Sequence, residues 1–190
     1  MRRLALSASL LAAVLLAMAC ATPPATPPPP ERPGEPPRPQ APALGLFSQI
    51  KVPGGHDPVA QFAARGVQIF RCEREGTAYE WRFRQPEAEL FDAQGQPVAR
   101  HGANFSFEHR DGSRLIGSVV AHDKAPAADT LPWLLFSAKS YGKGEFGGIS
   151  YVQRVNTRGG MPPRGCAAAQ ANKLLRVDFG ADFVFYRPRG

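Results

Sequence analysis

Residues 174–186, with the sequence LLRVDFGADFVFY, contain the pattern that decides the fold. Apolar side chains recur there at every second position, and the alternation is interrupted once, at Gly180-Ala181. The apolar positions in phase are Val177, Phe179, Phe183 and Phe185. Because successive side chains of a β-strand point to opposite faces, this segment predicts a strand with one buried face. The glycine break indicates a β-bulge.

Similar β-rich segments recur from residue 44 onward, and turn sequences separate them. They are residues 67–72, 79–84, 104–109, 114–121, 132–138, 148–156 and 174–186. Arg110-Asp111-Gly112-Ser113 is typical of a hairpin turn, and only the short segment 167–173 has a helical pattern. The sequence therefore predicts a single all-β domain over residues 44–190, an antiparallel β-sandwich or barrel of about eight to ten strands with little helix. The pattern does not choose between sandwich and barrel.

Residues 1–19 have the features of a lipoprotein signal peptide. Two arginines precede an apolar run that is shorter than the ~20 residues of a transmembrane helix. Small residues then lead to Cys20, as in bacterial lipoproteins, in which the cysteine is lipidated and becomes the N-terminus. Ala17 departs from that pattern, because a larger aliphatic residue is usual three positions before the cysteine. Since Ala17-Met18-Ala19 also fits an ordinary signal-peptidase site, secretion without a lipid is the alternative.

Residues 20–43 predict a lipidated cysteine followed by a stiff tether. Eleven of the 20 prolines lie between Pro23 and Pro42. Proline this dense excludes a helix or a sheet, because it lacks the N–H group and fixes φ. An extended polyproline segment would hold the following domain away from the lipid surface. Residue 21 is Ala rather than the Asp that retains many lipoproteins at the inner membrane, which points to the outer membrane.

The three cysteines divide into one lipid acceptor and one pair. With Cys20 lipidated, Cys72 and Cys166 remain as an even number of thiols in an oxidising compartment, where a disulfide is the expected state. Two buried free thiols or a metal site are the alternatives. No CxxC or Cys-x-x-His spacing supports zinc binding, so we expect no metal.

The order of these segments resembles the bacterial and fungal family catalogued as domain of unknown function 3455. The resemblance covers roughly residues 50–187. The segments that carry it are residues 52–56 (VPGGH), 64–72 (ARGVQIFRC), 86–92 (PEAELFD), 111–113 (DGS), 131–135 (LPWLL), 151–160 (YVQRVNTRGG), 165–166 (GC) and 183–186 (FVFY). The resemblance implies secretion but no particular activity. Both Cys72 and Cys166 fall inside these segments, which fits their pairing.

Sequence motifs of known enzymes are missing. Gly148-Ile149-Ser150-Tyr151-Val152 lacks the final glycine of a nucleophile elbow, and neither GxxxxGK[ST] nor HExxH occurs. The sequence therefore favours a protein without enzymatic activity and without a cofactor. The alternative is a small hydrolase or isomerase whose site combines residues from strand ends, such as His56, Asp57, His101 and Arg158.

The polar sequence QRVNTR contains the strongest candidates for ligand binding. Strand alternation predicts that Arg154, Asn156 and Arg158 share one face, where their donors suit a carboxylate, a phosphate or a sugar. A row of cross-strand ion pairs is the alternative. His56 and Asp57 follow two glycines that would let a ligand approach the backbone, although a structured turn also explains that segment.

The charge distribution does not indicate nucleic-acid binding. Lys and Arg number 23 against 16 Asp and Glu, a net charge of +7, but the basic residues are interleaved with acids rather than clustered. The expected partners are the membrane, through the N-terminal lipid, and an anionic or saccharide ligand of the envelope. The sequence predicts an outer-membrane lipoprotein that acts as a binding module. A structural envelope protein acting through protein contacts is the further alternative.

Overall fold

The computed structural model of the chain describes residues 38–190, and its strands form one closed antiparallel barrel. The strands are β1 (His56–Glu75), β2 (Ala78–Phe91), β3 (Pro97–Gly102), β4 (Ser106–His109), β5 (Arg114–Asp123), β6 (Trp133–Tyr141), β7 (Tyr151–Gly159) and β8 (Leu174–Pro188). Each strand pairs with the next one in sequence, and β8 pairs with β1. The predicted all-β antiparallel fold is confirmed, and of the two architectures left open it is the barrel.

The N-terminal features predicted from the sequence lie outside the described residues. These are the signal peptide of residues 1–19, the lipid acceptor Cys20 and all of the tether before residue 38. Residues 38–43 belong to no helix or strand. In the part of the chain that the structure describes, no helix is long and apolar enough to cross a membrane.

Phenylalanine rings fill most of the barrel interior. Those that are buried there are Phe62, Phe107, Phe136, Phe146, Phe179, Phe183 and Phe185. The rings of Phe107 and Phe183 meet edge to face with their centroids 5.1 Å apart. Aromatic pairs of this kind add roughly 0.5–1.5 kcal/mol beyond the area that they bury. The alternation in β8 thus places its aromatic residues inside, as the sequence predicts.

Residues 44–52 cover part of the outer surface of the barrel. Ile50 is fully buried there against Leu135 and Val155, which point away from the interior. The side chain of Gln153 donates a hydrogen bond from Nε2 to the carbonyl oxygen of Ile50 at 2.6 Å. This contact fixes the end of the Pro-rich segment on the outside of β6 and β7.

A disulfide joins β1 to the connection between β7 and β8. It links Cys72 to Cys166, with a Cα–Cα distance of 6.1 Å, and the predicted pairing is confirmed. The sequence separation is 94 residues, and a loop of that length is worth about 4–5 kcal/mol in the chain-entropy model. Two backbone hydrogen bonds hold the same connection: the Cys72 N–H donates to the Lys173 carbonyl, and the Asn172 N–H donates to the Cys72 carbonyl. The helix expected over residues 167–173 is only a single 3-10 turn, Ala168–Gln170.

Strands β1 and β2 approach each other closely at Gly66. A Cβ atom at this position would lie 2.1 Å from the carbonyl oxygen of Glu87 and 2.5 Å from Cα of Ala88. Since both neighbours are backbone atoms, no side-chain rotation relieves the clash. We expect Gly66→Ala to lower the free energy of unfolding by about 3 kcal/mol, measured by urea denaturation.

Gly54→Ala provides the matched control for this substitution. A Cβ atom at Gly54 would have no neighbour within 4 Å, so we expect a change below about 0.5 kcal/mol. Equal stabilities of the two variants would contradict the close approach of β1 and β2.

Candidate functional site

A bulge in β7 divides the donor face that the sequence predicts. Val155 pairs with Asp182, and Arg158 pairs with Gly180. Between these two pairs β7 advances by three residues, whereas β8 advances by only two. The backbone of Asn156 takes a positive φ of 51° at this point. The extra residue reverses the phase of the strand, so Arg154 is buried while Asn156 and Arg158 are exposed. The prediction that these three side chains share one face is therefore wrong.

The two outward residues of this set make local contacts. Asn156 donates a hydrogen bond from Nδ2 to Asp182 at 2.8 Å, and Arg158 donates one to the Asn156 carbonyl at 3.3 Å. A Cβ atom at Gly180 would lie 3.0 Å from the Arg158 guanidinium. The glycine break in β8 thus makes room for an arginine of β7, whereas the bulge itself lies in β7.

Arg154 points into the barrel. Its cross-strand neighbours Leu134 and Phe183 both belong to the interior core, and its side chain is only 4% exposed. Nη2 donates a hydrogen bond to the carbonyl oxygen of Pro132 at 2.9 Å, but Nε is buried without a partner. Within residues 38–190 no carboxylate pairs with it. Burial lowers the pKa of Arg154 to about 10, so the group is still a cation at neutral pH.

His101 lies on the inward face of β3 and is 2% exposed. Its ring stacks on Phe107 with the centroids 4.0 Å apart. Nδ1 lies 2.9 Å from the carbonyl oxygen of Ser106, and because a carbonyl only accepts, Nδ1 must carry the proton. Burial lowers the pKa of His101 to about 3; the Ser106 bond opposes this shift, and the charge of Arg154 adds to it. The ring is therefore neutral, and its Nε2 is a buried acceptor without a partner.

Gln68 is a third interior residue with an unpaired polar atom. It follows Ala64 and Gly66 at alternate positions of β1, so it shares their inward face, and it is 2% exposed. Its Nε2 atom has no hydrogen-bond partner. In the sequence, Gln68 alternates with Val67 and Ile69, a pattern that predicts an outward-facing polar residue. No local signal distinguishes this glutamine from a surface one.

These three residues form what we call the interior polar site: Gln68 of β1, His101 of β3 and Arg154 of β7. Across residues 38–190, four buried side-chain nitrogen or oxygen atoms lack a hydrogen-bond partner, and three of them belong to this site. An unpaired buried polar group costs about 1–3 kcal/mol. Three such groups within one barrel are suited to hold a polar molecule that supplies the missing partners.

The wall of the barrel is incomplete close to His101. Strand β2 pairs with β3 only over residues 88–91, and β5 pairs with β4 only over residues 114–116. The edges of residues 78–87 and 117–123 therefore have no strand partner on this side within the described chain. The 3-10 turn Ala103–Phe105 contacts both β2 and β5 in place of a strand.

Phe105 fills this opening. Its ring stacks on Phe83 at a centroid distance of 6.0 Å and contacts Phe136 at 5.4 Å. The ring of His101 lies 6.4 Å away on the inner side. The backbone of Phe105 has a φ of 52°, a region that residues with a side chain seldom adopt. Phe83 is 40% exposed, so at the opening the stacked rings of Phe83 and Phe105 lie between the solvent and His101.

His56 and Asp57 lie at the start of β1 and serve its local structure. His56 has Nδ1 2.9 Å from the carbonyl oxygen of Pro53, and its ring meets that of Tyr151 edge-on at 4.9 Å. Asp57 forms an ion pair with Arg189 at 2.6 Å, and the hydrogen bonds of this pair lower the pKa of the carboxyl. These contacts match the structured turn that was the alternative interpretation of the segment.

The four residues of the alternative hydrolase site do not come together. His101 of β3 pairs with Ala88 of β2, and Ala88 pairs with Gly66 of β1, so His101 lies at the level of Gly66. His56 and Asp57 lie near the far end of β1, roughly 30 Å along the strand at ~3.3 Å per residue. Arg158 faces outward, whereas His101 faces inward. In the described part of the chain, no group of three or more His, Cys, Asp and Glu side chains is close enough to hold a metal ion.

A charged depression of about 570 Å³ lies on the outer wall, over β1 to β4 and β8. Its charged residues are Arg65, Glu87, Glu89, Arg100, Glu108 and Arg176. Arg176 and Glu87 form an ion pair at 2.5 Å. Because three basic residues face three acidic ones, the depression has no net charge that would select an anion.

Comparison with known proteins identifies the family. The model of the family described as "Protein of unknown function (DUF3455)" matches residues 53–187. The match covers well over half of the chain, so the chain belongs to this family, as the resemblance of its segments predicts. No curated protein and no solved structure matches the chain significantly. The family's description states no activity.

The burial of His101 predicts that the protein loses stability in acid. The pKa is about 3 in the folded state and ~6.5 in the unfolded chain, so between these values only the unfolded chain binds the proton. Above this window both states are neutral and the residue adds no pH dependence. Within it, the free energy of unfolding should fall by about 1.4 kcal/mol for each unit by which the pH is lowered, as measured by urea denaturation.

Two histidine substitutions isolate this contribution. His101→Gln should remove most of the acid sensitivity between about pH 6 and about pH 4. His122→Gln, at an exposed position of β5, should leave the slope as it is in the wild type. If the free energy of unfolding of His101→Gln fell with pH as steeply as that of the wild type, groups other than His101 would cause the loss of stability.

Proposed function

We propose that this member of the DUF3455 family is an exported, lipid-anchored envelope protein that binds a small anionic or saccharide ligand inside its barrel. One observation carries the binding proposal: Gln68, His101 and Arg154 place unpaired polar atoms in an apolar interior of aromatic and aliphatic side chains. Their common location in the barrel favours a binding role over three unrelated packing defects.

The energetic cost of Arg154 supports this interpretation. A buried guanidinium without a carboxylate partner destabilises the folded state, and apolar side chains of similar volume are often more stable in such places. Stability that is given up at a defined site is typical of functional residues. A ligand oxygen near Nε would supply the hydrogen bond that the protein does not make.

The disulfide supports export. The bond between Cys72 and Cys166 is of the kind that forms and persists in oxidising compartments such as the bacterial periplasm. The predicted signal peptide and Cys20 would then anchor the chain in the outer membrane. The Pro-rich segment would hold the barrel away from the lipid, with Ile50 fixing its end on the barrel surface.

A second candidate is a structural role through protein contacts. The β5 edge that lacks a strand partner includes Val119 and Val120, which are 43% and 55% exposed. Apolar side chains on a free strand edge favour pairing with another chain. The interior polar site has no part in this alternative, so the two proposals can be tested separately.

Lipid anchoring is tested by Cys20→Ser in a bacterial host. The wild type should sediment with outer membranes and have the added mass of a lipid modification, whereas Cys20→Ser should appear in the soluble fraction. Ala21→Asp should keep the lipid and move the protein toward the inner membrane. Sedimentation of Cys20→Ser with the membranes would contradict the anchor.

Ligand binding is tested by native mass spectrometry of the exported protein after incubation with a soluble envelope extract. The wild type should retain a small mass that Arg154→Met loses. Because methionine removes a buried charge without a partner, the variant should be at least as stable as the wild type in urea. Arg158→Met, at an exposed position, should retain the ligand. A mass that survives Arg154→Met would show that binding occurs elsewhere.

A further inference from the structure

We propose that the interior polar site takes the hydroxyl group of a neutral ligand with an apolar body, which reaches the site through the opening that Phe105 fills. This inference rests on the proposed binding function; it rules out the anion and narrows the hydroxyl-bearing ligand to one whose body is apolar.

The unpaired atoms of the site include both donors and an acceptor. Arg154 Nε and Gln68 Nε2 are donors, whereas His101 Nε2 is an acceptor because the bond to Ser106 holds the ring proton on Nδ1. A hydroxyl group both donates and accepts. It can therefore donate to the histidine and accept from the guanidinium, whose charge acts on the same imidazole.

A carboxylate or phosphate ligand matches only part of this set. Its oxygens accept hydrogen bonds from Arg154 and Gln68 but would face the lone pair of His101 Nε2. That contact becomes favourable only if a proton is added to the imidazole or to the ligand oxygen. The ring is fully buried and lies near a guanidinium, and both conditions oppose a second proton on the imidazole. A ligand oxygen that carries the proton is itself a hydroxyl group. The site as it stands is built for a neutral group.

The surroundings of His101 specify the rest of the ligand. The imidazole lies between the rings of Phe107, Phe183 and Phe105. A molecule bound next to it would contact mainly aromatic carbon, so the part of the ligand beyond its hydroxyl group should be apolar. A ring that takes the place of the Phe105 side chain would have the right size and would lie beside His101.

Phe105 is the side chain that has to move. It lies in the opening between β2 and β5, on a turn that pairs with neither strand edge. Asn104 and Phe105 have φ angles of 54° and 52°, so two successive residues hold a conformation that costs energy. Displacement of this turn would relieve that strain and expose the inner side of the opening.

The test compares two probes of similar shape on the full-length exported chain with Cys20→Ser, which keeps it soluble. Cyclohexanol should bind at least about tenfold more tightly than cyclohexanecarboxylate near neutral pH. Its binding should shift the ¹⁵N resonance of His101 Nε2 and should take up no proton, as measured by calorimetry in buffers of different ionisation enthalpy.

Variants locate the bound probe. Phe105→Ala should bind cyclohexanol several-fold more tightly, because no aromatic ring has to be displaced, and Phe105→Leu provides a second variant if the alanine impairs folding. Arg154→Met should weaken binding about tenfold. Phe47→Ala is the control, since this ring is 87% exposed on the covering segment and should have no effect.

The possible results separate the two proposals. Tighter binding of cyclohexanecarboxylate, with uptake of one proton, would overturn the hydroxyl specificity and leave the interior binding function in place. Binding of cyclohexanol that is unaffected by both Arg154→Met and the Phe105 variants would place it outside the interior site and overturn the inference. Failure of both probes to bind the wild type and the Phe105 variants would overturn the inference, whereas the mass retained by the wild type in native mass spectrometry decides the interior binding function separately.

Discussion

The pairing of β8 with β1 is the constraint on which the rest of the structure depends. It extends from the pair His56–Pro188 to the pair Arg71–Leu174 and joins the first strand of the barrel to the last. Without this closure the aromatic face of β8 would be a sheet surface rather than an interior. The disulfide at Cys72 reinforces the same seam near one end. Closure therefore converts an amphipathic sheet into a closed space from which water is excluded.

Exclusion of water gives the interior polar residues their chemistry. An imidazole on the barrel surface would titrate near neutral pH, whereas burial keeps His101 neutral and fixes its tautomer through one carbonyl. An arginine on the surface would be solvated, whereas Arg154 retains its charge beside apolar rings. Both residues lower the stability of the folded barrel. A core made only of phenylalanine and leucine would fold at least as well, so stability alone does not explain them.

The sequence predicts the strands of this protein better than it predicts their partners. Alternation in residues 174–186 identifies β8 and its inward side chains, because that information is local. The choice of barrel over sandwich depends on the β1–β8 pairing across most of the chain, which no local pattern contains. The same limit applies to the candidate site. One residue inserted at Asn156 sends Arg154 inward and Arg158 outward, and the glycine that suggested a bulge lies on the opposite strand.

The turn between β3 and β4 links the opening in the wall to the polarity of the site. Ser106, which begins β4, accepts the hydrogen bond that fixes the proton on His101 Nδ1, and Phe105, which fills the opening, directly precedes it. A displacement of the turn that breaks this bond would free the imidazole to place its proton on Nε2 instead. The site would then present three donors and would suit an anion rather than a hydroxyl group. Selectivity for a neutral ligand therefore requires that Phe105 move while the carbonyl of Ser106 stays in place.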